Sequence, residues 1–238
     1  MHIGTVFRAS SVLPARVFQK GSKAYDLLAA APLILLYSLC AASLMHVVHE
    51  RVLQVDPSRP DIALWLTILA KLAGLVLMTL LTVILFLRRP PLASARGIMP
   101  RIGALAGTYM ALAIMLLPAR EMSAAMAAVS LALTFGGTSF AVYSVRYLGR
   151  SFSLVAEARQ LVTSGPYSRI RHPLYVGEGL AIIGVTLQYL SPLALLLLTV
   201  QICWQLYRMS CEEGILESAF PGYADYKRRT ARLIPGVY

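Results

Sequence analysis

Two polar blocks in the last third of this 238-residue chain hold the side chains best suited to chemistry. The first reads Thr163-Ser164-Gly165-Pro166-Tyr167, then Arg171-His172-Pro173-Leu174-Tyr175-Val176-Gly177. Gly165-Pro166 is a turn signal. Pro173 ends any helix before it and suits the first turn of the next. Arg171 and His172 therefore stand at a helix start, where a working pair of polar groups and a plain cap with a solvated imidazole are both open. The second block is Arg208-Met209-Ser210-Cys211-Glu212-Glu213, then Glu217, Phe220-Pro221-Gly222-Tyr223-Ala224-Asp225-Tyr226, and Ile234-Pro235. Arg208 and Glu212 are four apart and share a helix face. On a water-exposed surface such a pair contributes about 0.3–0.5 kcal/mol and nothing more. Here it continues directly from an apolar helix, so it sits at a bilayer edge, on the same side as His172.

Other polar residues carry weaker signals. Gly177-Glu178-Gly179 lacks the spacing and the preceding strand of a nucleotide-binding fingerprint. Glu178 falls near one end of its helix, where a cap, a packing role or a contact with a cationic ligand are all open. Lys71 lies about ten residues into an apolar helix, where a charge is costly. It is placed either to line a cavity or to reach polar surroundings with its long stem. Cys40, Cys203 and Cys211 form no CxxC pair, and no His lies at metal-ligand spacing from them, so no metal site is expected.

The elements that must position these groups are membrane helices. Hydrophobic residues make up 58% of the chain and charged residues only 14%, with mean hydropathy +0.67; soluble domains carry about 25% charged residues. Apolar segments run over Leu27–Val48, Ile62–Leu87, Ile102–Pro118, Met122–Val145, Leu174–Leu190 and Pro192–Tyr207. Most have the roughly 17–25 residues needed to cross a hydrocarbon core. The last two are shorter and are joined by Ser191-Pro192, which predicts a tight helical hairpin, either spanning or partly re-entrant. The fold class is thus all-α integral membrane protein, with about six transmembrane helices and a C-terminal tail.

A formal charge of +11 would point to nucleic acid in a soluble protein. Here its distribution explains it. Arg8, Arg16, Lys20 and Lys23 precede the first segment; Arg88, Arg89, Arg96 and Arg101 follow the second; Arg146, Arg150, Arg159, Arg169 and Arg171 follow the fourth; Arg208, Lys227, Arg228, Arg229 and Arg232 follow the sixth. The opposite side holds Arg51, Arg59 and Arg120, a split of 18 to 3. Lys and Arg collect in cytoplasmic loops, so both termini and both polar blocks are expected in the cytoplasm. No nucleic-acid-binding motif is visible. The first apolar run, preceded by a long basic stretch, is too long for a signal-peptide core of about 7–15 residues.

The ordered combination GPYSRIRHPLYVG, R-x3-EE, FPGYADY and a closing Pro235 resembles the isoprenylcysteine carboxyl methyltransferase family and related phospholipid methyltransferases, over about Tyr147 to Pro235. The resemblance implies a membrane-embedded methyltransferase that uses S-adenosylmethionine. Its donor pocket would be built by the C-terminal hairpin and tail. Carried over, His172 and Tyr175 contact the donor, in a block with Arg171, Pro173 and Gly177. Gly165, Pro166 and Tyr167 shape the wall. Tyr223, Tyr226 and Pro235 fold the tail over the donor, and Arg208 and Glu212 form the catalytic pair facing the acceptor. One departure is Pro221 after Phe220, where the family usually reads Phe-Gly-x-x-Tyr. Residues 1–146 then supply transmembrane helices and 147–238 the methyltransferase core, as one integrated domain.

Methyl transfer from a sulfonium needs alignment and exclusion of water more than covalent catalysis. A carboxylate acceptor is already ionised at neutral pH, and Arg208 is suited to hold it. An amine or thiol must lose a proton, and Glu212 is then the base. A membrane setting implies a lipophilic or lipid-linked acceptor: a prenylated cysteine, a phospholipid headgroup or a small thiol. The competing class is a small transporter or a non-catalytic scaffold; a transporter calls for matched halves with interrupted helices, and the sequence has no such symmetry.

Overall fold

The computed structural model describes residues 23–58, 61–89, 91–94, 99–153 and 157–236. Of the basic residues counted above, Arg8, Arg16, Lys20, Arg59 and Arg96 lie outside them. The described chain forms α1 (Lys23–Leu53), α2 (Ile62–Leu87), α3 (Met99–Met115), α4 (Ala124–Leu148), α5 (Pro173–Gln188), α6 (Pro192–Ala219) and the short α7 (Tyr223–Arg229). Two 3-10 turns, Gly149–Ser151 and Gly165–Ser168, precede α5. Strand β1 (Ala93–Ser94) pairs antiparallel with β2 (Glu157–Ala158). This two-residue ladder and an isolated parallel bridge between Ile170 and Ala231 are the departures from an all-helical chain among the described residues.

The expected six apolar segments are all helical, but they are not equal. Four helices, α1, α2, α4 and α6, are long and apolar enough to cross a membrane. Helices α3 and α5 have 17 and 16 residues, short of the roughly 20 that a hydrocarbon core asks for. Large apolar side chains such as Leu35, Leu39, Trp65, Phe86 and Leu196 point outward and are exposed. That arrangement is stable only where the surrounding solvent is lipid. The core lies between α1, α2 and α4, where Leu33, Tyr37, Leu81, Leu85, Ala141 and Val145 pack together.

Without a hydrophobic force between helices in lipid, close approach depends on small residues. Helices α4 and α5 use that route. A Cβ on Gly137 would meet Ala181 N at 2.5 Å, one on Gly177 would meet Ala141 N at 2.6 Å, and one on Gly184 would meet Ser130 O at 2.7 Å. Ser130 Oγ donates to Gly184 O at 2.7 Å across the same seam.

The hairpin turn is as short as expected. Ser191 caps α6, its Oγ accepting from Ala194 N at 3.1 Å, and Pro192 occupies the first turn. Yet its two arms make little direct contact: α5 packs on α4, and α6 packs on α3. Space is left between them. Helix α6 continues past its apolar run to Ala219, so Arg208 through Glu213 stay helical.

Candidate active site

The start of α5 is held by the tail. Arg171 N donates to Ala231 O at 2.8 Å, His172 N to Arg232 O at 3.2 Å, and Ala231 N to Arg169 O at 3.1 Å. These bonds lay residues 230–232 beside 169–172. Tyr226 Oη donates to Tyr167 O at 2.7 Å and ties α7 to the 3-10 turn that precedes α5.

Two adjacent carboxylates on α6 then face different partners, because neighbouring residues on a helix point about 100° apart. Glu213 Oε1 accepts from Arg171 Nε at 2.9 Å and lies 3.1 Å from His172 Nε2. Arg171 also reaches the carbonyls of Lys227 (3.0 Å) and Thr230. Glu213 is thus the node that locks the helix start and the tail onto α6. Glu212 Oε1 accepts from Tyr175 Oη at 2.5 Å and from Arg208 Nε at 3.2 Å. Arg208 Nη2 donates to Ser153 O at 3.3 Å, and its guanidinium lies over the Tyr175 ring at 5.1 Å. Arg208 and His172 are buried, at 6% and 5% exposed, so the Arg208–Glu212 pair is no surface ion pair.

Two cavities meet these groups. A polar one of about 90 Å³ is lined by His172, Tyr175, Arg208, Glu212, Tyr223 and Tyr226, with Arg171 and Tyr167 also on its wall. An apolar one of about 270 Å³ lies between the helices, lined by Leu36, Leu77, Met115, Ile182, Glu178 and Gln205, among others. Arg208 lines both. Burial holds the Tyr167 and Tyr223 phenols well above the usual range and pushes Tyr226 up to about 12, so all three are neutral hydrogen-bonding groups at physiological pH. Tyr223 Oη is buried and has no hydrogen-bond partner among the described residues.

The remaining expected site residues stand outside the polar cavity's lining. Gly165 has φ +61, and a Cβ there would meet the Tyr147 ring at 2.3 Å; with Pro166 it makes the turn that presents Tyr167. Pro173 is buried in the first turn of α5. Gly177 faces α4, not the cavity. Pro235 is exposed. Despite Pro221, Tyr223 and Tyr226 both point inward, 1% and 6% exposed. Lys71 lines neither cavity.

The sequence reading missed the partners of Glu213 and the polar lining of the apolar cavity. A signal for the second was present. Gln201, Gln205, Arg208 and Glu212 recur at spacings of three and four along an otherwise apolar helix, which marks one polar face.

Residues 122–222 match the sequence model of the phospholipid methyltransferase family, which includes the isoprenylcysteine carboxyl methyltransferases. The cobalt-zinc-cadmium resistance protein CzcN of Cupriavidus metallidurans is 43% identical over 77 residues, 32% of this chain and 35% of that protein. The nickel-cobalt-cadmium resistance protein NccN of Alcaligenes xylosoxydans xylosoxydans is 36% identical over 81 residues, 33% of this chain and 38% of that protein. The matches therefore span little more than a third of either relative. Among the described residues no group of three or more His, Cys, Asp or Glu is placed to hold a metal ion. The matched segment 122–222 carries Glu212, Glu213 and most of the two cavities' polar lining, so the similarity to phospholipid methyltransferases falls on the candidate site itself.

Proposed function

We propose that the protein is a membrane-embedded, S-adenosylmethionine-dependent methyltransferase acting on a lipophilic acceptor. One observation carries the reading: Arg208 lines both a polar cavity at the membrane edge and an apolar cavity between the helices. A polar donor and a lipophilic acceptor are thereby given separate chambers with one shared wall. Residues 147–238 supply the core, and the helices of 1–146 supply apolar walls for the acceptor. By the Lys/Arg distribution, both termini and the polar cavity are on the cytoplasmic side.

The lining suits the donor chemically. When bound, S-adenosylmethionine supplies an electrophilic methyl group on a sulfonium sulfur. The Glu212 carboxylate and the aromatic faces of Tyr167 and Tyr175 are complementary to a cation. The unpartnered Tyr223 hydroxyl is available to a polar ligand atom. At about 90 Å³ the cavity matches the donor's polar end, and the fit concerns that chemistry rather than the whole molecule. His172 and Tyr175 contact the donor, with Arg171 positioning them through Glu213. Tyr175 and Arg208 hold Glu212, and Glu212 in turn fixes the plane of the Arg208 guanidinium toward the acceptor. The buried surroundings exclude water from the junction.

Calorimetry on the detergent-purified protein, with S-adenosylmethionine and S-adenosylhomocysteine, tests the reading. Binding of either is expected. Absence of both heat and thermal stabilisation on a folded sample overturns the enzyme assignment. Reporters of extracytoplasmic exposure fused to each end test the sidedness, and activity outside at either end contradicts it.

A further inference from the structure

Glu178 belongs to the apolar cavity and takes no hydrogen bond from the network around Glu212 and Glu213. It lies three residues beyond Tyr175 on α5, so the two share a helix face about one turn apart. On α6, Gln205 precedes Arg208 by three residues. The facing helices therefore carry two successive polar rungs. Tyr175 meets Glu212 and Arg208 on the first, and Glu178 meets Gln205 on the second. The second rung is the one that opens into the apolar cavity alone, since Glu178 and Gln205 line that cavity and not the polar one.

The second rung is also under-satisfied. Glu178 Oε2 accepts one long bond, from Gln205 Nε2 at 3.3 Å. Among the described residues Glu178 forms no ion pair. Arg208, on the same cavity wall, already has its Nε on Glu212 and its Nη2 on the Ser153 carbonyl. Glu178 is thus left with spare hydrogen-bond acceptors and with no cation in direct contact among the described residues. An ionisable side chain inside a membrane protein is rare and is ordinarily matched by a partner or a ligand.

We propose that Glu178 selects the acceptor's head group: it takes a lipophilic molecule whose head donates a hydrogen bond and carries no negative charge, and it rejects one that ends in a carboxylate. This rests on reading the apolar cavity as the acceptor site of a methyltransferase. A carboxylate would place a second anion beside Glu178, between walls of low dielectric where like charges repel strongly. It would also have no proton to donate to the Glu178 oxygens. A hydroxyl or ammonium head meets that need, and its hydrocarbon chain lies along Leu36, Leu77 and Met115.

Thermal unfolding of the detergent-purified full chain, saturated with S-adenosylhomocysteine, tests this without requiring turnover. Three probes share one ten-carbon chain: decan-1-ol, decylamine and decanoate. The alcohol and the amine are expected to raise the wild-type Tm by about 3 °C or more, and decanoate by less than about 1 °C. Glu178→Gln keeps the size and the contact with Gln205 but removes the charge. In it decanoate is expected to stabilise as well as the alcohol does. Glu178→Met serves where the glutamine variant fails to fold, with the same loss of ranking. The proposal is overturned if decanoate stabilises the wild type as well as the other probes do. It is equally overturned if the variants keep the wild-type ranking, or if the wild type is indifferent to all three. Stabilisation by S-adenosylhomocysteine alone is read first, so its failure marks the loss of the methyltransferase reading separately.

Discussion

Among the described residues, Asp26 and Glu212 each hold buried arginine, and the two clusters are put to different uses. Where α1 begins and α2 ends, Asp26 accepts from Arg88 Nε at 2.8 Å and from Arg159 Nη2 at 2.9 Å. Arg159 in turn reaches Glu157 at 2.6 Å. Two cations face two anions, and Asp26, Arg88 and Arg159 are all under 8% exposed. Asp26, Arg88 and Arg159 line neither cavity, and only Glu157, at the rim of the cluster, borders the polar one. The cluster pins the segment carrying β2 to the first two helices, neither of which lies in the family-matched segment. The Arg208–Glu212 cluster uses the same chemistry but borders two cavities. Burial and charge alone therefore do not mark a reactive site. What separates the two is whether ligand space adjoins the guanidinium: Arg208 lines both cavities, whereas Arg88 and Arg159 line neither.

The comparison is broken most sharply by deleting one partner from each cluster. Arg208→Ala is expected to lower methyl transfer about 1,000-fold or more, comparable with the loss of a transition-state donor, while affinity for S-adenosylhomocysteine changes by no more than a few-fold. Glu212→Gln should lower transfer by about 100-fold. Initial rates with labelled donor, beside calorimetry, measure both; near-normal rates would reduce this cluster to an ion pair like the other. Asp26→Ala should do the reverse. It strands the buried Arg88 guanidinium, leaves Arg159 with Glu157 alone, and costs about 3–5 kcal/mol of stability, seen as a fall in Tm and in monodisperse yield, yet the protein that remains folded should bind the donor normally. A large loss of donor affinity per folded molecule would show that the Asp26 cluster acts on the site through Glu157.

Smaller effects sharpen the same contrast. Gly177→Ala, on the α4 seam, is expected to cost about 1–3 kcal/mol through overpacking with donor affinity unchanged; weakened donor binding at unchanged Tm would return Gly177 to the site. Alkaline pH probes the tail. Burial favours the neutral phenols of Tyr167, Tyr223 and Tyr226, whereas an unfolded chain loses those protons near pH 10. Their contribution to stability is therefore complete below about pH 10 and is lost as pH climbs through 12, the Tyr226 value. A Tm series from pH 7 to 11 should be flat at first and then fall, and Tyr226→Phe should flatten the fall in part. At the bottom of the scale, Lys227→Ala removes the exposed pair with Glu217 and should change stability by about 0.5 kcal/mol or less.

Much of this molecule follows from local sequence. Long apolar runs demand helices because unsatisfied backbone groups are intolerable in lipid. Ser191-Pro192 starts α6 with a cap and a preset φ, whereas Pro173 starts α5 with the preset φ alone, His172 making no side-chain cap bond. Arg208 and Glu212 meet because residues four apart on a helix are neighbours, and their bond of 3.2 Å is that rule realised. Tertiary structure alone decided the rest. Tyr175 finds Glu212 across 37 positions, Arg171 finds Glu213 across 42, and Arg159 finds Asp26 across 133. No periodicity encodes such pairings, because they depend on which helices pack and how closely. Gly177 lies within a polar motif yet serves the α4 seam, since only the approach of another backbone reveals why a side chain is excluded there. The cavity between α5 and α6 exists because each arm of the hairpin packs on a different helix, a choice made by shape and contact across the whole bundle rather than by either arm's own residues.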